Sequence, residues 1–402
     1  MAVGLSTLDV EYVHGRKEVP LREEELVVVC LVRDGQTWLE AFIEHYFSLG
    51  AKHIVFLDNG SSDATVSVAA SYDNVTVLRS TLPFKRYELL LRQYLIERFG
   101  RGRWSLCVDV DELFDYPYSD VIGLDSLLGY LNTKSYTAVA AQMLDMFPEE
   151  SLAGGAGRPE ESFRARHILC DLSALRRKDI DKHSGRNNVF DGADIDCLAG
   201  GIRETVFGVM PRLTKFPLVF SDGAVKPVEE SPHHIGNATI ADISCVLFHY
   251  KYVGRFHEQT ARAVREENHW NDSAQYKQYL EVLEKNPRLA LRRETSREIK
   301  STNDLLEEQF LVVSDDYVSW VDAEEARTLP GTGQHATSEA LLRARRLERA
   351  KTLRIQRLEK QLRDLGRQVE ESRRTKRRLR RRVRALRQRL ESTDPEAGSE
   401  TT

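Results

Sequence analysis

The sequence predicts an α/β protein built on a doubly wound, mostly parallel sheet, and three observations support this fold class. Four short apolar runs rich in β-branched residues recur between residues 26 and 108, as is typical of strands buried on both faces. Segments with the apolar spacing of helices separate these runs. Polar and acidic residues follow the predicted strand ends, where such sheets bind their ligands.

The predicted elements alternate along the first part of the chain. The strands are residues 26–32, 53–58, 75–78 and 104–108, and the helices between them are residues 38–49, 62–70 and 86–99. Gly50 is typical of a residue that ends a helix. Beyond them, the pattern predicts a helix over 124–131, a strand over 137–142, and two helices between 255 and 293. The strict alternation favours parallel strands with helices on both faces of the sheet.

The chain divides into five predicted parts. Residues 1–25 are an N-terminal extension or an edge element, residues 26–320 the main domain, residues 321–340 a linker, residues 341–392 a basic coiled coil and residues 393–402 a disordered tail. Within the main domain, residues 26–116 carry the regular alternation, and residues 117–320 form a smaller mixed region followed by helices.

The basic segment has a coiled-coil repeat, with apolar residues at alternating steps of three and four over about five heptads. These residues are Ile355, Leu358, Leu362, Leu365, Val369, Leu379, Val383, Leu386 and Leu390. Residues 341–390 hold 21 Lys and Arg against 5 Asp and Glu, whereas the whole chain has a net charge of −4. Two interpretations stay open: a helix that forms a homo-oligomer, or one that also binds an anionic partner such as a membrane surface. Nucleic acid is not favoured, because no aromatic platform accompanies the charge.

The composition predicts a cytoplasmic protein, with the basic segment allowing contact with the inner face of a membrane. Five scattered cysteines form no C-x-x-C pair, so neither a disulfide framework nor a zinc site is indicated. No apolar run approaches the ~20 residues that a membrane-spanning helix needs. The N-terminus lacks the pattern of a signal peptide.

The most informative stretch is residues 104–114, WSLCVDVDELF, an apolar run that ends in Asp109, Asp111 and Glu112. Side chains two residues apart on a strand point to the same side, so Asp109 and Asp111 are predicted to project to the same side, where a cation between them would offset their repulsion. Hard divalent ions such as Mn²⁺ or Mg²⁺ prefer such oxygen ligands. The alternative is an acidic loop solvated at the surface.

Four segments in order resemble the nucleotide-sugar glycosyltransferases of the GT-A fold, and more closely the family-2 group that is similar to glycosyltransferase family 92. They are LVRDGQTWLEAFIEHYFSLGAKHIVFLDNGSSDAT, WSLCVDVDELF, LAGGIRE and LFHYKY. The resemblance covers roughly residues 26–270. It implies a Rossmann-like nucleotide-binding half over residues 26–116 and an acceptor half within residues 117–320.

The resemblance also implies a donor site. Arg33 and Asp58 would contact the base and ribose, with Asp63 shaping the turn between them. Asp111 would hold Mn²⁺ or Mg²⁺, while Asp109 would face the ribose or the metal. For Asp58, a structural turn residue is the alternative.

Two later segments supply the remaining candidates. Glu204, in the Gly-Gly-Ile-Arg-Glu segment, resembles the acidic residue that would deprotonate the acceptor, and Asp145 is a weaker rival. The alternative is that Glu204 only forms an ion pair with Arg203. His249 resembles a late histidine that ligates the metal or contacts phosphate, and a satisfied core histidine is its alternative. Less specific phosphate or acceptor contacts are Lys226, Lys251, His233 and His234.

Together these residues predict a metal-dependent, inverting transfer of a sugar from a nucleoside diphosphate sugar to a glycan or glycoconjugate acceptor. A sugar nucleotidyltransferase is the second hypothesis, although residues 31–38 lack the glycine-rich phosphate loop typical of that class. The third is a non-catalytic scaffold organised by the basic helix.

Overall fold

The computed structural model describes residues 8–154, 162–179, 187–190, 195–254, 256–266 and 273–328, and scattered single residues between 348 and 376. The chain forms two compact units, Met1–Leu347 and Glu348–Thr402. Among the described residues, no helix is long and apolar enough to cross a membrane.

A large mixed sheet is the centre of the first unit. Its strands are β1 (Glu11–His14), β2 (Val27–Val32), β3 (His53–Asp58), β4 (Val75–Arg79), β5 (Trp104–Cys107), β6 (Glu112–Asp115), β7 (Ala138–Asp145), β10 (Val189–Phe190), β12 (Thr214–Phe220) and β15 (Thr239–His249). The order is β1-β4-β3-β2-β5-β12-β7-β15-β10, with β6 paired to β15. Strands β4, β3, β2 and β5 are parallel neighbours. The predicted parallel α/β core is therefore confirmed, while β12 runs antiparallel between β5 and β7.

The remaining strands of the described residues form short two-stranded sheets. They are formed by β8 (Leu169–Asp171) with β16 (Ser296–Glu298), β9 (Leu175–Asp179) with β11 (Asp196–Gly200), and β13 (Lys226–Pro227) with β14 (Ile235–Gly236). They belong to the predicted mixed region after residue 117.

The helices follow the predicted alternation closely. They are α1 (Gln36–Leu49), α2 (Thr65–Ala69), α3 (Phe84–Gly100), α4 (Leu124–Thr133), α5 (Phe163–Arg166), α6 (Ile202–Phe207), α7 (Phe256–Glu266), α8 (Ala274–Lys285), α9 (Thr302–Glu307) and α10 (Asp315–Thr328). Gly50 ends α1 with a φ of 111°, a conformation that favours glycine. The helix pair α7 and α8 confirms the two helices predicted between residues 255 and 293.

Both faces of the sheet are covered, as the continuous apolar strands require. On one face, alternate residues of β2 and β3 pack against Leu91, Leu95 and Phe99 of α3. On the other face, Phe42 of α1 packs against Phe56 of β3, with ring centroids 5.5 Å apart. The sheet is thus a layer buried between helices, with polar side chains at the ends of its strands.

Two boundaries differ from the prediction. Residues 11–14 form edge strand β1, which pairs antiparallel with β4, so part of the N-terminal extension belongs to the sheet. Helix α10 continues to Thr328, so residues 321–328 are helical where a linker was predicted. The reason is packing, because Tyr317, Val318 and Val321 on α10 are fully buried.

The described residues of the second unit are helical, and they include Ile355 and Leu362 of the predicted apolar seam. Their side chains are 57% and 69% exposed. Most of the predicted coiled coil over residues 341–392, and the tail over residues 393–402, lie outside the described residues.

Candidate active site

The candidate site lies at the carboxyl edge of the parallel strands. Arg33 directly follows β2, Asp58 ends β3 and Asp109 follows β5 by two residues. Because β2 pairs in parallel with both β3 and β5, these ends meet at one edge of the sheet. The sequence prediction that these residues share an edge is confirmed.

The sequence placed the two aspartates of the D-x-D segment on a strand, and this prediction is wrong, because Asp109 and Asp111 lie in the turn between β5 and β6. Strand β5 ends at Cys107, and the chain turns so that the Glu112 amide donates to the Asp109 carbonyl at 3.0 Å. Strand β6 then begins at Glu112 and pairs with β15. The turn breaks the two-residue alternation, so Asp109 and Asp111 face different partners.

Asp111 faces His249 at the end of β15, and a buried chain of charges continues behind it. The Asp111 Oδ2 atom lies 3.3 Å from His249 Nε2. On its other side, His249 Nδ1 lies 2.5 Å from Asp145 Oδ1, and Arg203 Nε donates to Asp145 Oδ2 at 2.8 Å. Asp145 therefore orients the imidazole and leaves Nε2 directed at Asp111.

The pKa values in this chain follow from burial and charge. Burial opposes the ionised carboxylates, but the positive charge of His249 holds the pKa of Asp111 below its usual value. Arg203 and His249 likewise lower the pKa of Asp145 to about 2, against the effect of burial. Burial would lower the pKa of His249, yet Asp111 and Asp145 raise it to about 9. Without a ligand, the imidazole is thus a cation between two carboxylates.

Asp109 belongs to a second buried network. Arg92 of α3 donates to Asp109 Oδ1 at 2.5 Å, and Lys215 of β12 donates to Asp109 Oδ2 at 2.8 Å. Lys215 also donates to Glu112 at 2.6 Å. Burial would raise the pKa of Asp109, but Arg92 and Lys215 hold it well below its usual value. Both carboxylate oxygens of Asp109 are therefore held by protein cations.

The loops after β2 and β3 form one hydrogen-bonded unit. Asp34, which adopts a φ of 51°, accepts from the Ser62 amide at 2.7 Å. Asp58 accepts from the Ser61 amide at 3.0 Å, and its other oxygen lies 3.4 Å from Arg79. Asp58 therefore has the turn role that the sequence left as an alternative, and it is only 1% exposed.

Asp63 fixes the start of α2. Its Oδ1 atom accepts hydrogen bonds from the Thr65 amide and, at 2.5 Å, from the Thr65 hydroxyl. Its Oδ2 atom accepts a hydrogen bond from the Gln36 backbone amide at 3.2 Å. It thus joins the loop after β3 to the start of α1. This agrees with the turn-shaping part implied by the family resemblance.

Helix α7 lies against the loop after β2. Arg262 forms an ion pair with Asp34, and Glu266 lies 3.6 Å from the guanidinium of Arg33. Arg33 is 39% exposed, so a ligand can still reach it. Nothing in the sequence connected α7 with this loop.

Glu204 and Arg203 are adjacent on α6 but bind different partners. Both carboxylate oxygens of Glu204 accept from the guanidinium of Arg176 on β9, with the Nε to Oε2 distance at 3.1 Å. Arg203 instead reaches Asp145. The alternative of an Arg203–Glu204 ion pair is therefore wrong. Arg176 therefore occupies a lone-pair site on each Glu204 oxygen, and an acceptor hydroxyl has to compete with it.

Asp111 and His249 can hold a divalent cation only when the His249 ring is neutral, because a protonated imidazole has no lone pair for a metal. A carboxylate oxygen and an imidazole nitrogen 3.3 Å apart can bind one ion, and Asp111 is 21% exposed to an incoming ligand. Within the described ranges, no three His, Cys, Asp or Glu side chains converge as a metal site made only of protein ligands requires. The remaining ligands would come from water or substrate phosphates, as is usual for Mg²⁺. Asp109 fits such an ion less well, because Arg92 and Lys215 already hold its oxygens.

The sequence analysis did not identify Arg92 and Lys215, the two buried cations that contact Asp109. Arg92 carried no signal, because a lone arginine on an amphipathic helix is ordinarily solvated. Lys215 did carry one: it interrupts an otherwise apolar strand, and lysine is rarely buried unless it is paired.

Comparisons with known proteins give weak likenesses. No family model matches the chain. No curated protein matches it. Among solved structures, it is similar to a UDP-glucose pyrophosphorylase complexed with UDP-glucose, at 8% identity and a TM-score of 0.18, covering 37% of this chain and 67% of the other. It is also similar to the UDP-glucose pyrophosphorylase from Acinetobacter baumanii, at 10% identity and a TM-score of 0.22, covering 79% and 98%. TM-scores this low do not establish a shared fold.

Proposed function

We propose that this protein is a metal-dependent enzyme that transfers a sugar, with inversion, from a nucleoside diphosphate sugar to a hydroxyl group of a glycan or glycoconjugate. The observation that carries the proposal is the Asp111–His249 pair, whose ligand atoms are 3.3 Å apart, behind the carboxyl edge of a parallel sheet. The orienting contact from Asp145 supports it, because metal-binding imidazoles ordinarily donate their other N–H to such a group.

The donor binds along the sheet edge in this proposal. Arg33, whose side chain is 39% exposed, contacts the base and ribose, and Asp63 and the buried Asp58 hold the loops beside it. A carboxylate has about four lone-pair sites, of which Arg92 and Lys215 use two on Asp109. We therefore assign Asp109 to a ribose hydroxyl rather than to the metal. When bound at Asp111 and His249, Mn²⁺ or Mg²⁺ would neutralise charge on the diphosphate.

The transfer is a single displacement. The acceptor oxygen attacks the anomeric carbon, the bond from that carbon to the diphosphate oxygen breaks, and its electron pair leaves with the nucleotide. Glu204 takes the acceptor proton, with the acceptor hydroxyl competing with Arg176 for the carboxylate oxygens. Asp145 is the weaker candidate for this base, because His249 and Arg203 already occupy its two oxygens.

The experiment is an assay of the purified chain with a panel of nucleoside diphosphate sugars and Mn²⁺, in which free nucleoside diphosphate is measured. We expect release with at least one donor, and loss of that release with EDTA and in Asp111→Asn. Release that is unchanged by both treatments would contradict the metal site.

Sugar nucleotidyl transfer is the second candidate, and its product, a nucleotide sugar, would occupy the same edge. The two weakly similar structures are named as UDP-glucose pyrophosphorylases, which is this type of reaction, but their TM-scores are too low to support the hypothesis. The same assay separates the two reactions. Pyrophosphate release from a nucleoside triphosphate and a sugar 1-phosphate, without release from any nucleotide sugar, would replace the transferase proposal. If neither reaction is detected and no nucleotide binds, the scaffold hypothesis is favoured.

A further inference from the structure

The backbone of Lys251 is held in place beside the Asp111–His249 pair. It follows β15 by two residues, on a turn whose Tyr250 amide donates to the Asp111 carbonyl at 2.8 Å. The indole of Trp38 donates to the Tyr250 carbonyl, also at 2.8 Å. These two contacts tie the turn to the D-x-D segment and to α1.

Aromatic rings hold the Lys251 ammonium in place. Its Nζ atom lies 4.9 Å from the ring centroid of Tyr276 and 5.5 Å from that of Tyr279, both on α8. Tyr279 is fully buried, so its ring is a fixed surface. Cation–π attraction of this kind positions a charge without neutralising it.

Lys251 differs from Lys215 in the groups that surround its ammonium. Lys215 has two carboxylates, Asp109 and Glu112, within 2.8 Å. Around Lys251, no carboxylate of the described ranges lies within the 4.0 Å of an ion pair, and the Tyr276 hydroxyl at 3.4 Å is its hydrogen-bond contact. Since an ammonium has three N–H donors, Lys251 keeps donors for a ligand.

We propose that Lys251 binds the diphosphate of the nucleotide sugar beside the Asp111–His249 pair. This inference rests on the proposed function. A diphosphate between a divalent ion and an ammonium has positive charge on both sides, which stabilises the charge that develops on the leaving group.

The other basic candidates from the sequence have partners that occupy them. Lys226 is 60% exposed and lies 3.8 Å from Glu229. His233 Nδ1 lies 2.8 Å from the Thr214 carbonyl, and His234 contacts Arg212 and Ser231. Lys251 is thus the candidate whose environment suits an anion.

Isothermal titration calorimetry of the full chain with Mn²⁺ tests this assignment. UDP, GDP, CDP and ADP are titrated first, and the diphosphate that binds wild type is compared with its nucleoside. In Lys251→Met we expect the Kd for the diphosphate to rise about 10- to 100-fold, because a charge-assisted contact is lost. The Kd for the nucleoside should stay unchanged. Lys251→Arg should retain most of the diphosphate affinity, and Lys285→Met, at an exposed lysine of α8, is the matched control.

The outcomes separate this inference from the proposed function. If wild type binds none of the four diphosphates, the proposed function fails and the role of Lys251 fails with it. If wild type binds one and Lys251→Met binds it equally well, only the role of Lys251 is overturned. An equal loss of diphosphate and nucleoside affinity would also overturn it, because a structural defect affects both. Lys251→Gln, with its melting temperature measured, serves as the second variant if Lys251→Met does not fold.

Discussion

Asp109 has different partners in the structure from those that the sequence predicted. As part of a D-x-D segment it was a candidate metal ligand, yet Arg92 and Lys215 hold its two oxygens. Asp111, two residues on, keeps one oxygen near His249. The two acids therefore have different roles: Arg92 and Lys215 hold Asp109, which we assign to a ribose hydroxyl, and Asp111 is left for the metal.

Lys215 supports a residue-scale prediction. Its side chain is 8% exposed and neutralises both Asp109 and Glu112. Lys215→Met leaves two carboxylates without this cation, and breaking a buried ion pair costs about 3–5 kcal/mol. We expect the free energy of unfolding of Lys215→Met, measured with urea, to be about 3–5 kcal/mol lower than that of wild type.

The control is Lys226→Met, because Lys226 is 60% exposed and its pair with Glu229 is at the surface. Such exposed pairs contribute about 0–1 kcal/mol. Equal stability of the two variants would show that the network does not stabilise the turn after β5.

At the scale of elements, the sequence predicted the first half of the fold well and the site only in part. Continuous apolar runs and helical spacing are local signals, so β2, β3, β4 and β5 and their helices could be predicted. The insertion of β12 between β5 and β7 could not, because antiparallel pairing across more than a hundred residues leaves no local pattern. Arg92, Arg176 and α7 reach the site through such distant contacts.

Helix α1 supports a prediction of pH dependence. His45 is buried on this helix and its Nε2 atom lies 2.7 Å from the Phe114 carbonyl, which accepts a hydrogen bond from it. Burial lowers the pKa of His45 to about 4. In the unfolded chain the pKa is about 6.5. Between these values the unfolded state binds more protons, so stability is complete above about pH 6.5 and falls as the pH drops toward 4.

The variant His45→Gln can keep the hydrogen bond without the titration. We expect urea unfolding of wild type to lose about 2 kcal/mol more than the variant between pH 6.5 and pH 4.5. Identical pH profiles for the two proteins would contradict a neutral, buried His45.

At the scale of the whole molecule, the described helical residues of the second unit include Ile355 and Leu362, seven residues apart and exposed. We propose that a second copy of this chain covers them. The many arginines would repel across such an interface, so oligomers should strengthen as salt screens this repulsion.

Analytical ultracentrifugation of the full chain at low and high salt measures this effect. Leu362→Lys should shift the protein toward the monomer, while Arg363→Lys on the same helix should not. A monomer under all conditions, or an equal response of both variants, would contradict self-association through the seam.

In the proposed function, Asp111 and His249 form a metal-dependent nucleotide site at the sheet edge. The most direct measurement is the melting temperature of the full chain with a panel of nucleoside diphosphates and Mn²⁺, because a ligand that binds only the folded state raises it. We expect at least one diphosphate to raise the melting temperature, and EDTA or Asp111→Asn to abolish the rise. No rise with any diphosphate, or a rise that persists in Asp111→Asn, would contradict this site.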